Sequence, residues 1–84
     1  MGDEPLMAVA VETLLFLELS DDQIVEPSAA MAMMEQIAAT LQRLEPEPKR
    51  RFLRYVADRA ARTADSQERQ AVESLPRDLG LEPL

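Results

Sequence analysis

The sequence predicts an all-α fold, a small bundle of three main helices plus a short C-terminal helix, and three observations carry that expectation. Alanine, leucine, methionine, glutamate and arginine dominate the chain, and these are strong helix formers. Only two glycines and six prolines punctuate 84 residues. No run alternates β-branched with polar side chains as a half-buried strand would. A hydrophobic content of 46% is too high for a disordered chain, so a packed core follows. The length allows one domain, residues 1–84. At this size folding buries only about 60–65% of the surface the unfolded chain exposes, which makes a partner or a second copy a useful source of stability.

The first helix is expected over about residues 4–19, with Asp3 as N-cap and Pro5 in the first turn. At 100° per residue, Leu6, Met7, Ala10, Val11, Leu14, Leu15, Leu17 and Leu19 cover more than half its circumference. A surface helix needs an apolar stripe only somewhat wider than about 100°. This helix is therefore either the centre of the fold or one that lends part of its apolar face to a partner. Its remaining sector, Val9, Glu12, Thr13, Phe16 and Ser20, is a mixed surface containing an aromatic ring. Ser20, Asp21 and Asp22 stop it, because their side chains compete for backbone hydrogen bonds. Ile24 and Val25 in the linker are placed to tuck onto the core as a staple.

The second helix is expected over about residues 27–44. Its apolar positions Ala30, Met34, Ile37, Leu41 and Leu44 follow the 3, 4, 3, 4 rhythm more cleanly than any other segment. Glu45-Pro46-Glu47-Pro48 breaks the chain, since each proline disfavours helical geometry in the residue before it. The third helix then covers about residues 48–64, with Phe52, Val56 and Ala60 as its core face, flanked by Leu53, Ala57 and Ala64. Asp65-Ser66-Gln67-Glu68 resembles a capping box that opens a short fourth helix over residues 66–75. Continuation of the third helix through this point is the alternative. Pro76 ends the fourth helix, and Leu79-Gly80-Leu81 closes a last turn that packs two leucines.

The chain contains no cysteine, histidine or tryptophan. Disulfides, zinc sites of the Cys/His type, nucleophilic triads and imidazole acid–base chemistry are thereby excluded. Neither glycine, Gly2 or Gly80, has a second within the span of a phosphate-binding loop. Carboxylate-only catalysis needs two acids facing across a cleft, and short helices that fill their own interior leave little room for one. The expectation is a protein that is not an enzyme and takes no cofactor or metal. The acidic N-terminus lacks the positive charge of a secretory signal. The apolar run Leu6–Leu17 is shorter than the roughly 20 residues a membrane helix needs. Leu6 stands where N-myristoylation wants Ser or Thr. A cytoplasmic location without membrane association is expected.

Charge is unevenly spread. The net charge is −7, but residues 1–48 carry −9, residues 49–64 carry +5 and residues 65–84 carry −3. The overall sign disfavours nucleic acid as a ligand and suits a partner with a basic surface. Lys49, Arg50, Arg51, Arg54, Arg59 and Arg62 make the third helix basic. Phosphate binding, with Arg50, Arg51 and Arg54 as its agents, is the functional reading of that run. Ion pairing with the acids of the first two helices is the structural reading, and it is preferred here because the remainder of the molecule is acidic.

Glu18, Asp21, Asp22 and Glu26 concentrate four carboxylates at the first interhelical corner. Three readings stay open: an electronegative patch that docks on a basic partner, a solvated loop whose acids cap the second helix, and a calcium site. The last lacks the alternating ligands and glycine of an EF-hand loop. Met31, Met33 and Met34 form an adaptable apolar cluster. Met34 belongs to the core stripe, whereas Met33 at its edge is the better contact residue.

The segment Phe16-Leu-Glu-Leu-Ser-Asp-Asp-Gln-Ile-Val-Glu-Pro27, followed by Ile37-Ala-Ala-Thr-Leu-Gln-Arg-Leu44, resembles small helical proteins of the bacterial toxin-immunity type. The resemblance spans about residues 14–56 and lies in the helix pattern and the acidic corner, not in a diagnostic motif. It implies a protein that occludes the active or substrate-binding surface of a toxin or effector, carboxylates opposing basic side chains. The contact residues expected from the charge and exposure pattern are Glu12, Phe16, Glu18, Asp21, Asp22, Glu26 and Met33. The alternative function is a homo-oligomeric adaptor or structural module, a homodimer with the first helix buried between copies.

Overall fold

The computed structural model describes residues 4–21 and 23–81. Four helices follow in order: α1 Glu4–Leu19, α2 Pro27–Gln42, α3 Pro46–Ala61 and α4 Ser66–Asp78, with no strand among the described residues. The all-α class is as the composition predicts. Asp3, expected as the first N-cap, and Asp22 lie outside the described residues.

α1 is the centre of the bundle and touches each of the other helices. Val11, Leu14 and Leu15 of α1 meet Phe52, Val56 and Ala60 of α3, Val72 and Leu75 of α4, and Leu79 and Leu81 beyond it. That buried cluster contains no residue of α2. Met34, Ile37, Ala38 and Leu41 pack against it only half-buried, and α2 has no fully buried residue. The expected hierarchy is therefore rearranged. The core is a three-helix arrangement of α1, α3 and α4, and α2 leans on α1 from outside. The fourth helix is the shortest of the four, as expected, but at 13 residues it runs three beyond the expected Leu75 and contributes Val72 and Leu75 to the core.

The helix boundaries have local causes. α2 stops at Gln42, two residues short of the expected Leu44. Its end tightens, with the Arg43 and Leu44 amides donating three residues back to Thr40 and Leu41, before Pro46 forces a new start. α3 begins two residues earlier than expected. Pro46 and Pro48 both fall in the first turn, where the backbone amides have no intrahelical acceptor and a missing N–H costs no bond. The first helical bond runs from the Lys49 amide to the Glu45 carbonyl at 3.0 Å. α3 ends at Ala61, so Ala64 is an exposed linker residue, and Ala57 is exposed as well. Ala57 and Ala64 therefore do not flank the core face as expected.

α3 and α4 are separate helices. The Asp65 carboxylate accepts the Glu68 amide at 2.8 Å, which is the cap the sequence predicts. The reciprocal half of the box is not made, because the Glu68 carboxylate turns to Arg59 instead. Pro76 does not end α4. It deprives only the Val72 carbonyl of its partner, while burial of Leu75 and Leu79 on either side holds the helix together to Asp78. The true stop is Gly80 at φ 70°: the Leu81 amide reaches back to the Pro76 carbonyl at 2.8 Å and the Gly80 amide to Arg77 at 3.1 Å, a Schellman closure. This turn buries Leu79 and Leu81 as expected. The Leu79 carbonyl also accepts the Gln42 side-chain amide at 2.8 Å, tying the end of α2 to the end of α4.

Candidate functional site

Asp21 organises the corner between α1 and α2. Its Oδ1 accepts the Gln23 amide at 3.0 Å and the Ile24 amide at 3.2 Å, and its carbonyl accepts the Ile24 and Val25 amides. This turn directs Ile24 outward, leaving it 65% exposed, so only half-buried Val25 tucks inward and the expected Ile24 staple is not formed. Glu26 caps α2: its carboxylate accepts the Ala29 amide at 2.9 Å and the Ser28 hydroxyl. Those hydrogen bonds, the Ser28 hydroxyl first, hold its carboxyl below the ordinary value.

Glu18 is different. Partial burial, followed by repulsion from Asp78 at the end of α4, pushes its carboxyl above the ordinary value. No described residue donates a hydrogen bond to it, whereas Asp78 accepts one from the Ser74 hydroxyl at 2.9 Å. Leu17, Glu18, Val25, Ala30, Met31 and Met34, together with Ser20 and Pro27, line an open groove of about 280 Å³ between the last turn of α1 and the first half of α2.

The expected contact residues are thus distributed over several places. Glu18 lines the groove, and Asp21 and Glu26 stand at the exposed turn beside it. Phe16, 53% exposed, is on the outward sector of α1 with Val9, and Met33, 45% exposed, is on a flank of α2 that does not line the groove. Glu12 is engaged within the molecule: its Oε2 accepts Arg59 NH2 at 2.7 Å. Arg59 NH1 also donates to the Thr63 hydroxyl oxygen at 3.0 Å and approaches Glu68 at 3.4 Å. One guanidinium therefore ties α1, α3 and α4 together, and the Glu12 carboxylate in turn pushes the Arg59 pKa further up. The intramolecular reading of the basic helix holds for Arg59, and Arg50 pairs locally with Glu47 at 2.9 Å.

Met31, 65% exposed on the groove, is the residue that sequence reasoning passed over in favour of Met33. A signal for it existed, since Pro27, Met31 and Met34 share one helical side at 4- and 3-residue spacing.

Two further clefts can be described. One of about 190 Å³ lies among Leu6, Met7, Leu41, Leu44 and Phe52, with Arg51 on its wall. The other is a shallow trough of about 440 Å³ between α3 and α4, lined mostly by Leu53, Ala57, Ala60 and Ala61, with Glu73 beside Pro76. Each of the three hollows includes at most one carboxylate. Among the described residues no cluster of three or more acids is arranged to hold a metal ion, and no helix is long and apolar enough to cross a membrane. Comparison with protein-family models, with curated proteins and with solved structures finds no match to this chain.

Proposed function

We propose that this chain is a non-catalytic protein-binding module, an immunity-type protein or inhibitor that occludes a toxin or effector through the acidic surface around the α1–α2 corner. One observation carries the reading. From residue 1 to residue 42, through α1, the turn and α2, the chain contains eight acids and not one lysine or arginine, and exposed apolar side chains stand among those acids. A surface of one sign speeds encounter with a basic partner, and exposed apolar side chains beside it supply the burial that holds the complex. Because the Asp21 and Glu26 side chains are already ordered by backbone bonds, docking costs them little conformational entropy. The protein it fits has a basic surface, and neither nucleic acid nor membrane is required.

The test is to isolate the native partner from the source cell, identify it, and measure its binding to the purified chain. Asp21→Lys combined with Asp22→Lys is expected to slow association about tenfold or more at low salt and to lose that effect in high salt. Unchanged affinity would remove the corner from the interface. Inhibition of the partner's activity at one-to-one stoichiometry supports occlusion.

A second reading is a homo-oligomeric adaptor, favoured by the exposure of Val9 and Phe16 on the outer sector of α1. Light scattering after size exclusion separates the two, since a dimer that forms without any foreign partner and covers Phe16 supports the adaptor.

A further inference from the structure

We infer that the groove between the last turn of α1 and the first half of α2 receives a cationic amphipathic segment of the partner, its apolar side chains seated on Leu17, Val25, Met31 and Met34 and its lysines or arginines set against Glu18 and Asp21. The inference rests on the protein-binding reading above and assigns the chemistry of what binds.

The groove selects its occupant by charge and by size. Every element that lines it belongs to the half of the chain without a basic residue. Arg43, the first base in the chain, stands twelve residues beyond Met31. That is about 18 Å along the helix axis, well past the screening length of about 8 Å at physiological ionic strength. Arg77 on α4 is already drawn to Asp78 at 3.7 Å. The charged side chain that lines the groove is thus a carboxylate, with Asp21 and Glu26 at the turn beside it and no base on the elements that form it, so a cationic segment finds charge partners there and an acidic one does not.

Glu18 adds a local reason. It is partly desolvated, it faces Asp78, and no described residue donates a hydrogen bond to it. A cation placed beside it relieves that repulsion and supplies the missing donor, an interaction stronger than one with a fully solvated carboxylate. At about 280 Å³ and open to solvent, the hollow falls below the roughly 300–1,000 Å³ of sites that enclose a drug-sized ligand. It suits side chains projecting from the surface of a partner helix. Met31 and Met34 are unbranched and polarizable, so they adjust to the shape of what they meet.

The probe is a synthetic 18-residue peptide of leucine and lysine at helical spacing, titrated into the full chain labelled at the methionine methyl groups and followed by NMR. Met31 and Met34 are expected to shift together, while Met7, which lines the other α1–α2 cleft, stays in place. Glu18→Gln weakens peptide binding about fivefold at low salt, the value of one favourable charge contact. Glu35→Gln removes the same charge from α2 at a position that does not line the groove, and costs clearly less affinity than Glu18→Gln. Met31→Gln weakens binding without altering net charge, and circular dichroism of this exposed-site variant checks that the fold is retained.

Equal losses from Glu18→Gln and Glu35→Gln, or shifts in Met7 matching those in Met31, reduce the effect to diffuse charge attraction and overturn the assignment. Methyl shifts that grow with protein concentration in the absence of peptide make a second copy of the chain the occupant and overturn it too. If the isolated native partner binds tightly yet ignores Met31→Gln and Glu18→Gln, the groove assignment falls while the protein-binding reading stands. If no protein partner exists but the peptide still docks as described, the broader reading falls instead.

Discussion

Two leucine-to-alanine substitutions measure how unequally the four helices share the core. Leu14 on α1 is 0% exposed, at the point where α1 meets the buried side chains of α3 and α4. Removing three carbons forfeits about 2.4 kcal/mol of transfer free energy, and the cavity left behind raises the cost to about 3–4 kcal/mol. A domain of this size holds about 4–13 kcal/mol in total. At about 4–8 °C per kcal/mol, Leu14→Ala should lower Tm by about 15–25 °C. Leu41 on α2 is the same residue type but only half-buried, and its neighbours on that helix are no deeper. Solvent already reaches part of its side chain, and the site can collapse when α2 shifts, so Leu41→Ala should cost about 1 kcal/mol and about 5 °C. Urea and thermal unfolding followed by circular dichroism give both values. If Leu41→Ala costs as much as Leu14→Ala, α2 is integral to the core and the account of α1, α3 and α4 as the structural body is refuted.

Gly80→Ala should destabilise the protein by about 1–2 kcal/mol, because an L-residue is strained at φ 70° and its Cβ would meet the Gln42 side-chain nitrogen at 2.7 Å. The displaced amide would release the Leu79 carbonyl, so hydrogen exchange should quicken at the C-terminal turn of α2; exchange unchanged there would dissociate the Gln42 bond from α2 stability. Glu18→Gln should raise Tm at pH 7. The folded carboxyl titrates above its ordinary 4.5, so its ionisation costs stability that is untouched below that value and lost as the pH climbs through the raised folded pKa. The gap between variant and wild type should close below pH 4, and a gap independent of pH would assign the effect to packing.

The local grammar of the chain was readable without coordinates. The four helices, the breaks at Ser20 and Glu45, the Asp65 cap and the leucine-closed C-terminal turn all follow from spacing and side-chain chemistry acting over a few residues. Pro48 falls in the first turn of α3 as expected, and the errors concern Pro46 and Pro76. Pro46 also sits in that first turn, where a missing amide costs no bond, while Pro76 costs α4 one bond that the burial of Leu75 and Leu79 offsets. The corner was legible as an acidic cluster. The Glu26 cap, made to Ser28 and Ala29, is local and was among the readings the sequence left open, whereas Glu12 being spent on Arg59 and Glu18 facing Asp78 depend on residues 47 and 60 positions apart.

Sequence alone determined which face of each helix is apolar, because a 3.6-residue period maps composition onto a side of the cylinder. Depth of burial was decided only by tertiary structure. The cleanest apolar rhythm belongs to α2, yet α2 is the one helix with no fully buried residue, since a stripe is buried only as far as neighbours close over it. α1 has neighbours on several sides and α2 leans chiefly on one, and no pattern within either segment encodes that difference. The same placement leaves an anionic, methionine-lined groove where α2 meets the end of α1.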